Sequence, residues 1–289
     1  MGEHTGIAWC DATFNPWWGC TRVSPGCKLC YAEIASDRWG HPGLWGPRGE
    51  RRVFGPGHWQ EPWRWNTRAE KEGVRRRVFC GSMCDVFEDY GDDEEPTASG
   101  LGVERTKLWD VIGRTHSLDW LLLTKRPENI DRMCGVMRLP NVWLGTSVED
   151  QTRADERVPI IARQPSVVRF LSVEPMIGPV DLSGLVDTEA YGGMGGRPFR
   201  IGPAIDWVII GGESQEGCRP MEVEWALDLL RQCRSLGIAV FVKQLGGHPD
   251  KRHDPAEWPE ALRVQEFPST INLYPEQAKL WNGQVRQGR

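Results

Sequence analysis

Residues 120–146 read WLLLTKRPENIDRMCGVMRLPNVWLGT, and this stretch contains a complete strand–helix–strand pattern. The apolar runs Trp120–Thr124 and Val142–Thr146 flank a helical segment, Glu128–Met137. That segment follows Pro127, and proline suits the first turn of a helix. Neither run alternates with polar residues, which is typical of parallel strands that are covered on both faces. The stretch therefore predicts a βαβ unit.

The same alternation continues in both directions along the chain. Further strands are predicted at Ile7–Phe14, Val78–Ser82, Val168–Val173, Trp207–Ile210 and Ala239–Val242. Further helices are predicted at Tyr31–Arg38, Glu104–Thr115, Ala154–Ala162 and Glu222–Leu236. Repeated units of this kind, with no glycine-rich dinucleotide fingerprint after any strand, favour a barrel over a doubly wound sheet. The predicted fold class is α/β, a full or partial parallel (β/α) barrel that is TIM-barrel-like.

Two regions interrupt the alternation. Trp39–Arg68 is dense in Trp, Gly, Pro and Arg, and it is too long and too aromatic for a simple connection. Tyr191–Pro203 is rich in glycine and is predicted to be a loop. We expect residues 1–247 to form the barrel, with 39–68 as a Trp-rich insertion, and residues 248–289 to form a C-terminal appendage packed on it.

Composition excludes several classes of protein. The 289 residues carry a formal net charge of -5, so the chain as a whole has no electrostatic preference for nucleic acid. No apolar run approaches the roughly 20 residues of a membrane span, and the N-terminus resembles neither a secretory signal nor a transit peptide. Nine cysteines without a signal peptide favour a reducing compartment. We therefore expect a cytoplasmic protein with no membrane association.

Three of the cysteines lie in one short loop, GCTRVSPGCKLCYAE, at residues 19–33. Cys20, Cys27 and Cys30 have the spacing C-x6-C-x2-C. A four-iron cluster that is held by three thiolates keeps one iron open for a substrate or cosubstrate. A structural zinc site is the alternative, and its fourth ligand would come from Cys10 or a histidine. The spacing alone is compatible with either metal centre.

Polar residues follow almost every predicted strand. In parallel barrels the reactive groups lie at the carboxyl ends of the strands, so these residues are expected on one rim together with the cysteine loop. The strand-end candidates are Ser82, Asp85, Lys125, Ser147, Glu149, Glu174, Gly211, Gly212, Glu213 and Lys243. Charged groups in such positions are costly unless they are paired or bind a ligand. The pairs Lys125 with Glu149 and Lys243 with Glu174 are compatible with a purely structural role as well as a catalytic one.

A three-cysteine loop after a first strand, followed by a βα barrel with polar strand ends, resembles the radical S-adenosylmethionine (SAM) superfamily. The resemblance implies that Cys20, Cys27 and Cys30 hold a [4Fe–4S] cluster, that SAM chelates the open iron, and that its reductive cleavage yields a 5′-deoxyadenosyl radical. It also implies an electron donor of the flavodoxin or ferredoxin type. The first gap between the cysteines is longer here than is usual there, and Leu29 replaces an aromatic residue before the third cysteine.

Under this resemblance the strand-end residues acquire roles. Contacts to SAM are expected from Ser82, Asp85, Ser147, Glu149, Gly211, Gly212 and Glu213. The residues Glu174, Lys243 and Lys125 are the expected catalytic groups. Gly81-Ser82 with Asp85 is the nearest match to the acidic-glycine motif that usually follows the second strand of the superfamily.

The pattern over the whole chain resembles a phage- and bacteria-borne three-cysteine-motif family of uncharacterised function. The matching segments are TFNPWWGC, CYAE, LLTKRPE, LGTSVED, FLSVEP, DWVIIGGES and FVKQLG, which extend from about Thr13 to Gly246. This resemblance supports the barrel and the cluster loop more than any particular reaction.

The substrate prediction depends on Trp39–Arg68. Its arginines supply positive charge and its tryptophans supply stacking surface, so a planar anionic substrate such as a nucleotide or a DNA base is expected. Arg51, Arg52 and Trp63 are the candidate substrate-binding residues. Two alternatives stay open: a Trp-rich lid that only packs on the barrel, and a zinc-stabilised barrel with a hydrolytic or nucleic-acid-binding role.

Overall fold

The computed structural model describes residues 2–3, 5–90, 100–134, 139–186 and 204–268. Its strands are β1 (Ala12–Phe14), β2 (Trp17–Trp18), β3 (Arg52–Val53), β4 (Arg76–Cys80), β5 (Leu118–Thr124), β6 (Val142–Ser147), β7 (Val168–Val173), β8 (Trp207–Gly211) and β9 (Ala239–Gln244). Its helices are α1 (Tyr31–Arg38), α2 (Pro56–Trp59), α3 (Glu61–Glu72), α4 (Leu101–Arg114), α5 (Ile130–Met133), α6 (Gln151–Ala162) and α7 (Val223–Leu236). Within the described ranges, none of the helices combines the length and the apolar character that crossing a bilayer requires.

Seven of the strands form one parallel sheet in the order β1-β4-β5-β6-β7-β8-β9. Each strand pairs with its successor in this order, so that Trp120 of β5, for example, lies opposite Val142 of β6. Sequential parallel strands joined by crossovers of one hand give a sheet that curls in one direction. Because β1 and β9 lie at opposite ends of the sheet, the result is a half-barrel. The predicted α/β, TIM-barrel-like fold is confirmed in its partial form.

Both faces of the sheet are covered, which explains why the strands lack polar alternation. One face packs against the helices through residues such as Val78 and Val208, together with Leu108 of α4 and Leu229 of α7. The opposite face carries an aromatic interior that contains Trp9, Phe79, Trp143, Phe170, Trp207 and Phe241. The interior of the half-barrel is therefore filled by large rings, and open space is confined to the ends of the strands.

Two predicted elements are shorter in the structure. The first strand, predicted at Ile7–Phe14, is confined to β1, because the backbone turns before it and Cys10 N donates to Ile7 O (3.3 Å). The helix predicted at Glu128–Met137 begins as a 3-10 turn and continues as α5. That helix ends before Cys134, whose backbone angles are extended.

The Trp-rich insertion, Trp39–Arg68, contains β3, α2 and part of α3. Trp59 and Trp65 are buried within the helix-covered core, so part of the aromatic content of the insertion serves packing. β3 pairs antiparallel with β2 and places Arg52 opposite Trp18. Side chains directly opposite each other in such a ribbon lie on the same face, so Trp18 and Arg52 are neighbours on one surface.

Residues 248–268 cover the free edge of β9. Val242 N donates to Val264 O (2.8 Å), which satisfies a backbone group that an edge strand leaves unpaired. The division into a barrel and a separate appendage stays a prediction. Residues 269–289 and the predicted loop Tyr191–Pro203 lie outside the described residues.

Candidate functional site

A cavity of about 920 Å³ lies at the carboxyl ends of the parallel strands, and this volume is near the upper end of the usual range for ligand pockets. The predicted site residues that line it are Cys20, Cys27, Cys30, Ser82, Asp85, Lys125, Ser147, Glu174, Gly212, Glu213 and Lys243. The other predicted site residues, which lie outside its wall, are Glu149, Gly211, Arg51, Arg52 and Trp63. Tyr31, Trp45 and Arg126 also line the cavity, although the strand-end argument did not select them.

A 3-10 turn after Ser24 and the start of α1 place two of the cysteines. Ser24 Oγ lies 3.7 Å from Cys27 Sγ. Cys30 immediately precedes α1, and the backbone N–H groups of Ala32 and Glu33 donate to its sulfur. Burial raises the pKa of the Cys30 thiol, and these hydrogen bonds act in the opposite direction. Because a helix N-terminus favours negative charge, this position suits a thiolate ligand.

Cys20 contacts a buried arginine. Arg126 Nη1 lies 3.6 Å from Cys20 Sγ and 3.0 Å from Asp85 Oδ2. Burial raises the pKa of the Cys20 thiol to about 12, and the carboxylates of Asp85 and Glu88 act in the same direction, whereas Arg126 lowers it. A bound metal cation deprotonates such a thiol. Arg126 comes two residues after β5, and that strand-end position is the signal in the sequence by which it could have been found.

The carboxylate of Asp85 is used within the protein. Besides the guanidinium of Arg126, its oxygens accept from Thr124 Oγ1 (2.8 Å). They also accept from the backbone N–H groups of Lys125 (3.0 Å) and Phe87 (3.0 Å). Asp85 therefore holds the end of β5 and orients Arg126. Although Asp85 lines the cavity, its carboxylate oxygens are occupied by these protein donors.

Glu149 lies directly beneath the cysteine loop and is fully buried. Its Oε1 accepts from Ser24 Oγ (2.6 Å) and lies 3.5 Å from Lys125 Nζ. Its Oε2 accepts from Arg157 Nη1 (3.0 Å). A Cβ added at Gly26 would lie only 2.5 Å from Oε1, so the loop can rest on Glu149 only because position 26 has no side chain. Glu149 thus supports the loop from below.

Glu174 and Lys243 form an ion pair on the cavity wall. Their side chains are 19% and 24% exposed, so both groups are accessible to a ligand in the cavity. Gly211 lies behind the pair, where a Cβ would be 3.2 Å from Glu174 Cδ. At Gly212 a Cβ would be 2.6 Å from Leu245 O. Close packing against backbone therefore requires glycine at position 212, whereas at position 211 a side chain would only crowd Glu174.

Glu213 acts on the cysteine loop through an arginine. Its Oε2 accepts from Arg219 N (2.8 Å) and Arg219 Nε (3.0 Å). Arg219 Nη2 in turn donates to Pro25 O (3.0 Å). The two strand ends that carry Glu149 and Glu213 therefore fasten the loop at two points, Ser24 and Pro25.

The predicted serines lie on the wall itself. Ser82 is held by Asn15 Nδ2, which donates to Ser82 Oγ (2.9 Å), and Tyr31 Oη donates to Ser82 O (2.6 Å). Ser147 O accepts from Arg157 Nη1 (2.8 Å). These contacts place both serine side chains on rigid backbone at the ends of β4 and β6.

Arg51 is buried, and its guanidinium is engaged inside the insertion. Its Nε and Nη2 donate to Glu88 at 3.0 and 2.8 Å. Nη2 also donates to Thr21 Oγ1 (2.8 Å), and the remaining contacts are to backbone carbonyls of the loop 44–49. The side chains of Arg51 and Glu88 are 2% and 0% exposed, so this is a structural ion pair behind the cysteine loop.

The other two candidates from the insertion lie on the surface. Arg52 lies over the ring of Trp18, 4.8 Å from its centroid. Trp63 lies on α3 and lines a separate cavity of about 450 Å³ with Arg64, Thr67, Arg68 and Lys71. The structure therefore does not bring Arg51, Arg52 and Trp63 together.

The remaining cysteines are divided between core and cavity. Cys84 lines the cavity, whereas Cys80 and Cys233 are fully buried. Cys10 lies in the aromatic interior, with its Sγ 3.8 Å from Ile7 O, and is not on the cavity wall. Among the described residues, no three His, Cys, Asp or Glu side chains are arranged to hold a single metal ion.

The chain belongs to the family described as protein of unknown function (DUF5131), whose model matches residues 4–288. Among curated proteins, none matches the sequence. The solved structures that are similar include spore photoproduct lyase, among them a mutant with bound AdoMet and dinucleoside spore photoproduct. That match has 13% identity and a TM-score of 0.43, and it covers 95% of this chain and 66% of the other.

Two further structures of spore photoproduct lyase are similar at the same level. A mutant matches with 13% identity and a TM-score of 0.45, over 84% of this chain and 58% of the other. A complex with dinucleoside spore photoproduct matches with 13% identity and a TM-score of 0.42, over 83% of this chain and 59% of the other. The chain spans about two thirds of these proteins or less, and identity at this level does not carry a shared function.

Proposed function

We propose that this protein is a radical SAM enzyme in which Cys20, Cys27 and Cys30 hold a [4Fe–4S] cluster. The observation that carries the proposal is that the three loop thiols and the polar strand ends line one cavity. A cluster with three protein ligands needs room beside its open iron for a cosubstrate. The cavity of about 920 Å³ lies within the size range of small-molecule sites.

The groups around the sulfurs fit such a cluster. Cys20 receives a guanidinium, Cys30 receives two backbone N–H groups, and a hydroxyl lies beside Cys27. Hydrogen bonds of this kind stabilise cluster thiolates and adjust the reduction potential.

A structural zinc site is the alternative centre. It needs four ligand atoms around one ion, whereas a cluster places each thiolate on a separate iron. Metal analysis separates the two.

Held by Cys20, Cys27 and Cys30, the reduced cluster would supply one electron for cleavage of a carbon–sulfur bond of SAM, which would give methionine and a 5′-deoxyadenosyl radical able to take a hydrogen atom from the substrate. The electron would come from a donor of the flavodoxin or ferredoxin type. The serine hydroxyls of Ser82 and Ser147 would bind SAM. The accessible pair Glu174 and Lys243, with Lys125, would orient the substrate or hold a proton.

The lining of the cavity suits a planar anionic substrate, such as a nucleotide or a nucleic-acid base. Tyr31 and Trp45 provide aromatic rings in its lining, and Lys125 and Lys243, which lie beside the carboxylates of Glu149 and Glu174, provide ammonium groups. Aromatic rings stack on bases, and cationic side chains bind phosphate.

Anaerobic purification followed by analysis of iron, sulfide and zinc tests the proposal. About four irons with matching sulfide are expected per chain. The reduced protein should also release 5′-deoxyadenosine and methionine from SAM, even without substrate. Stoichiometric zinc, or a fully loaded and reduced cluster that leaves SAM intact, would contradict the proposed function.

A further inference from the structure

A cluster of rings lies on the outside of the insertion, centred on Trp18. The ring centroids of Trp39, His41 and Phe54 lie 5.7, 5.6 and 5.7 Å from that of Trp18. The guanidinium of Arg52 lies over two of these rings, 4.8 Å from Trp18 and 5.3 Å from Phe54. We call these five residues the Trp18 platform.

The platform differs from the tryptophan packing of the core. Trp17, Trp120 and Trp207 are all 0% exposed, whereas Trp39 is 52% exposed. Leaving a tryptophan ring half in water forgoes much of the gain from burying it. Exposed aromatic surface of this kind, beside a guanidinium, is typical of an interaction site.

Arg51 and Arg52 are adjacent but differ in their electrostatic partners. Arg51 is paired with the buried carboxylate of Glu88. For Arg52, no carboxylate of the described residues lies within ion-pair distance. Its charge is therefore available to an anionic partner, and the rings hold its planar group in place.

The segment that carries most of the platform has a small excess of positive charge although the whole chain is acidic. Residues 37–54 contain four arginines and the two acidic residues Asp37 and Glu50. Because Arg51 is paired with Glu88, Arg38, Arg48 and Arg52 outnumber these two carboxylates by one. A basic patch with interleaved aromatic rings is the usual footprint of a protein that binds single-stranded nucleic acid.

The platform is continuous with the candidate active site. Trp18 is followed directly by Gly19 and Cys20. The loop that follows Trp39 is bound to the cysteine loop, because Gly46 N donates to Cys20 O (2.9 Å). In the same loop, Trp45 lines the cavity. A chain lying on the platform could thus place one of its units in the cavity.

We propose that the Trp18 platform binds single-stranded nucleic acid, with an unpaired base stacked on the half-exposed ring of Trp39 and a phosphate bound by Arg52, which Trp18 holds in place. This proposal specifies the substrate class of the proposed function as single-stranded nucleic acid. It rests on that function only for the reaction of the base in the cavity.

Fluorescence anisotropy of the full-length, anaerobically reconstituted protein tests the proposal. The probe is a fluorescein-labelled single-stranded oligodeoxynucleotide of about 12 nucleotides and mixed sequence, with the matching RNA and the DNA duplex as further probes. W39A should raise Kd about tenfold, and W39F should restore most of the affinity. R52A should weaken binding and reduce the dependence on salt by about one phosphate contact.

R64A is the matched control, because Arg64 belongs to the other surface that combines tryptophan and cations. It should leave Kd within about twofold. Equal losses in R64A and R52A, or no binding of DNA and RNA single strands by the wild-type protein, would overturn the proposal. If W39A lowers the melting temperature, its loss of affinity could come from unfolding. The Kd values of R52A and R64A then decide whether the platform binds the oligonucleotide. A protein that binds the oligonucleotide but leaves SAM intact would refute the proposed function alone, and the reverse result would refute only the platform.

Discussion

Arg126 lies 3.6 Å from the sulfur of Cys20, although 106 residues separate the two in the chain. The same guanidinium pairs with Asp85 at 3.0 Å and lies 3.7 Å from Glu88. Arg126 therefore pairs with Asp85, shares Glu88 with Arg51, and contacts the sulfur of a proposed cluster ligand. Since the side chain is buried, its charge is weakly screened by water and acts strongly on the sulfur.

Replacement of Arg126 by Gln should lower the reduction potential of the cluster. Reduction adds negative charge, and R126Q removes the nearest positive charge while it leaves two carboxylates in place. We expect a fall of tens of millivolts, since a tenfold change in relative stability corresponds to about 59 mV for a one-electron couple. Redox titration monitored by electron paramagnetic resonance measures the shift. R126K keeps the charge and should shift the potential less. An unchanged potential in fully loaded R126Q would rule out this role.

Single Ala substitutions at Cys20, Cys27 or Cys30 should each abolish the charge-transfer absorption of the cluster and most of the bound iron. C233A serves as the control, because Cys233 is a fully buried thiol of α7 far from the cysteine loop in sequence. Its iron content should equal that of the wild type. C10A examines the closed zinc site directly. Loss of metal in C10A as complete as in C20A would show a fourth thiolate ligand and contradict an open iron.

Gly26→Ala should prevent the cysteine loop from resting on Glu149. The added methyl group would lie 2.5 Å from Oε1, so either the loop or the buried carboxylate must move. We expect a loss of about 1–3 kcal/mol in the free energy of unfolding, together with reduced incorporation of iron. Urea denaturation and iron analysis measure the two effects. G57A is the control, because a Cβ at Gly57 meets nothing within 4 Å. Equal behaviour of the two variants would show that Glu149 does not support the loop.

The adjacent residues Arg51 and Arg52 should respond differently to removal of their side chains. R51A leaves the buried carboxylate of Glu88 with Arg126, 3.7 Å away, as its remaining counter-charge, and the loss of the closer pair should cost about 2–4 kcal/mol in the free energy of unfolding. R52A removes a surface group and should change stability by less than about 0.5 kcal/mol. Denaturant unfolding of both variants in the same metal state decides the matter. A loss in R52A as large as that in R51A would mean that the Trp18 platform is a structural cluster.

The order of strands and the position of the cysteine loop could be predicted from the sequence. Buried parallel strands require continuous apolar runs, and these are visible as WLLLT and VWLGT without any knowledge of contacts. Sequential parallel strands have few possible topologies, because their crossovers have one hand. Since the reactive groups of parallel barrels lie at the carboxyl ends of the strands, the same apolar runs also predict which polar residues surround the cavity.

The sequence by itself determined a full or partial parallel barrel, the three-cysteine loop and the rim of polar residues, because periodicity and local spacing are properties of short segments. The choice of the half-barrel came from the strand order in the structure. Only the tertiary structure decided what each polar group does. Glu149 lies beneath the loop and Glu174 faces the cavity, although both follow a strand in the same way. Likewise Arg51 is buried in an ion pair and Arg52 is half-buried against two rings, although they are neighbours. Such differences depend on which side chains from distant parts of the sequence lie next to each residue. Contacts between buried polar groups that are far apart in the chain, such as Arg126 and Cys20, are set by the packing of the whole fold.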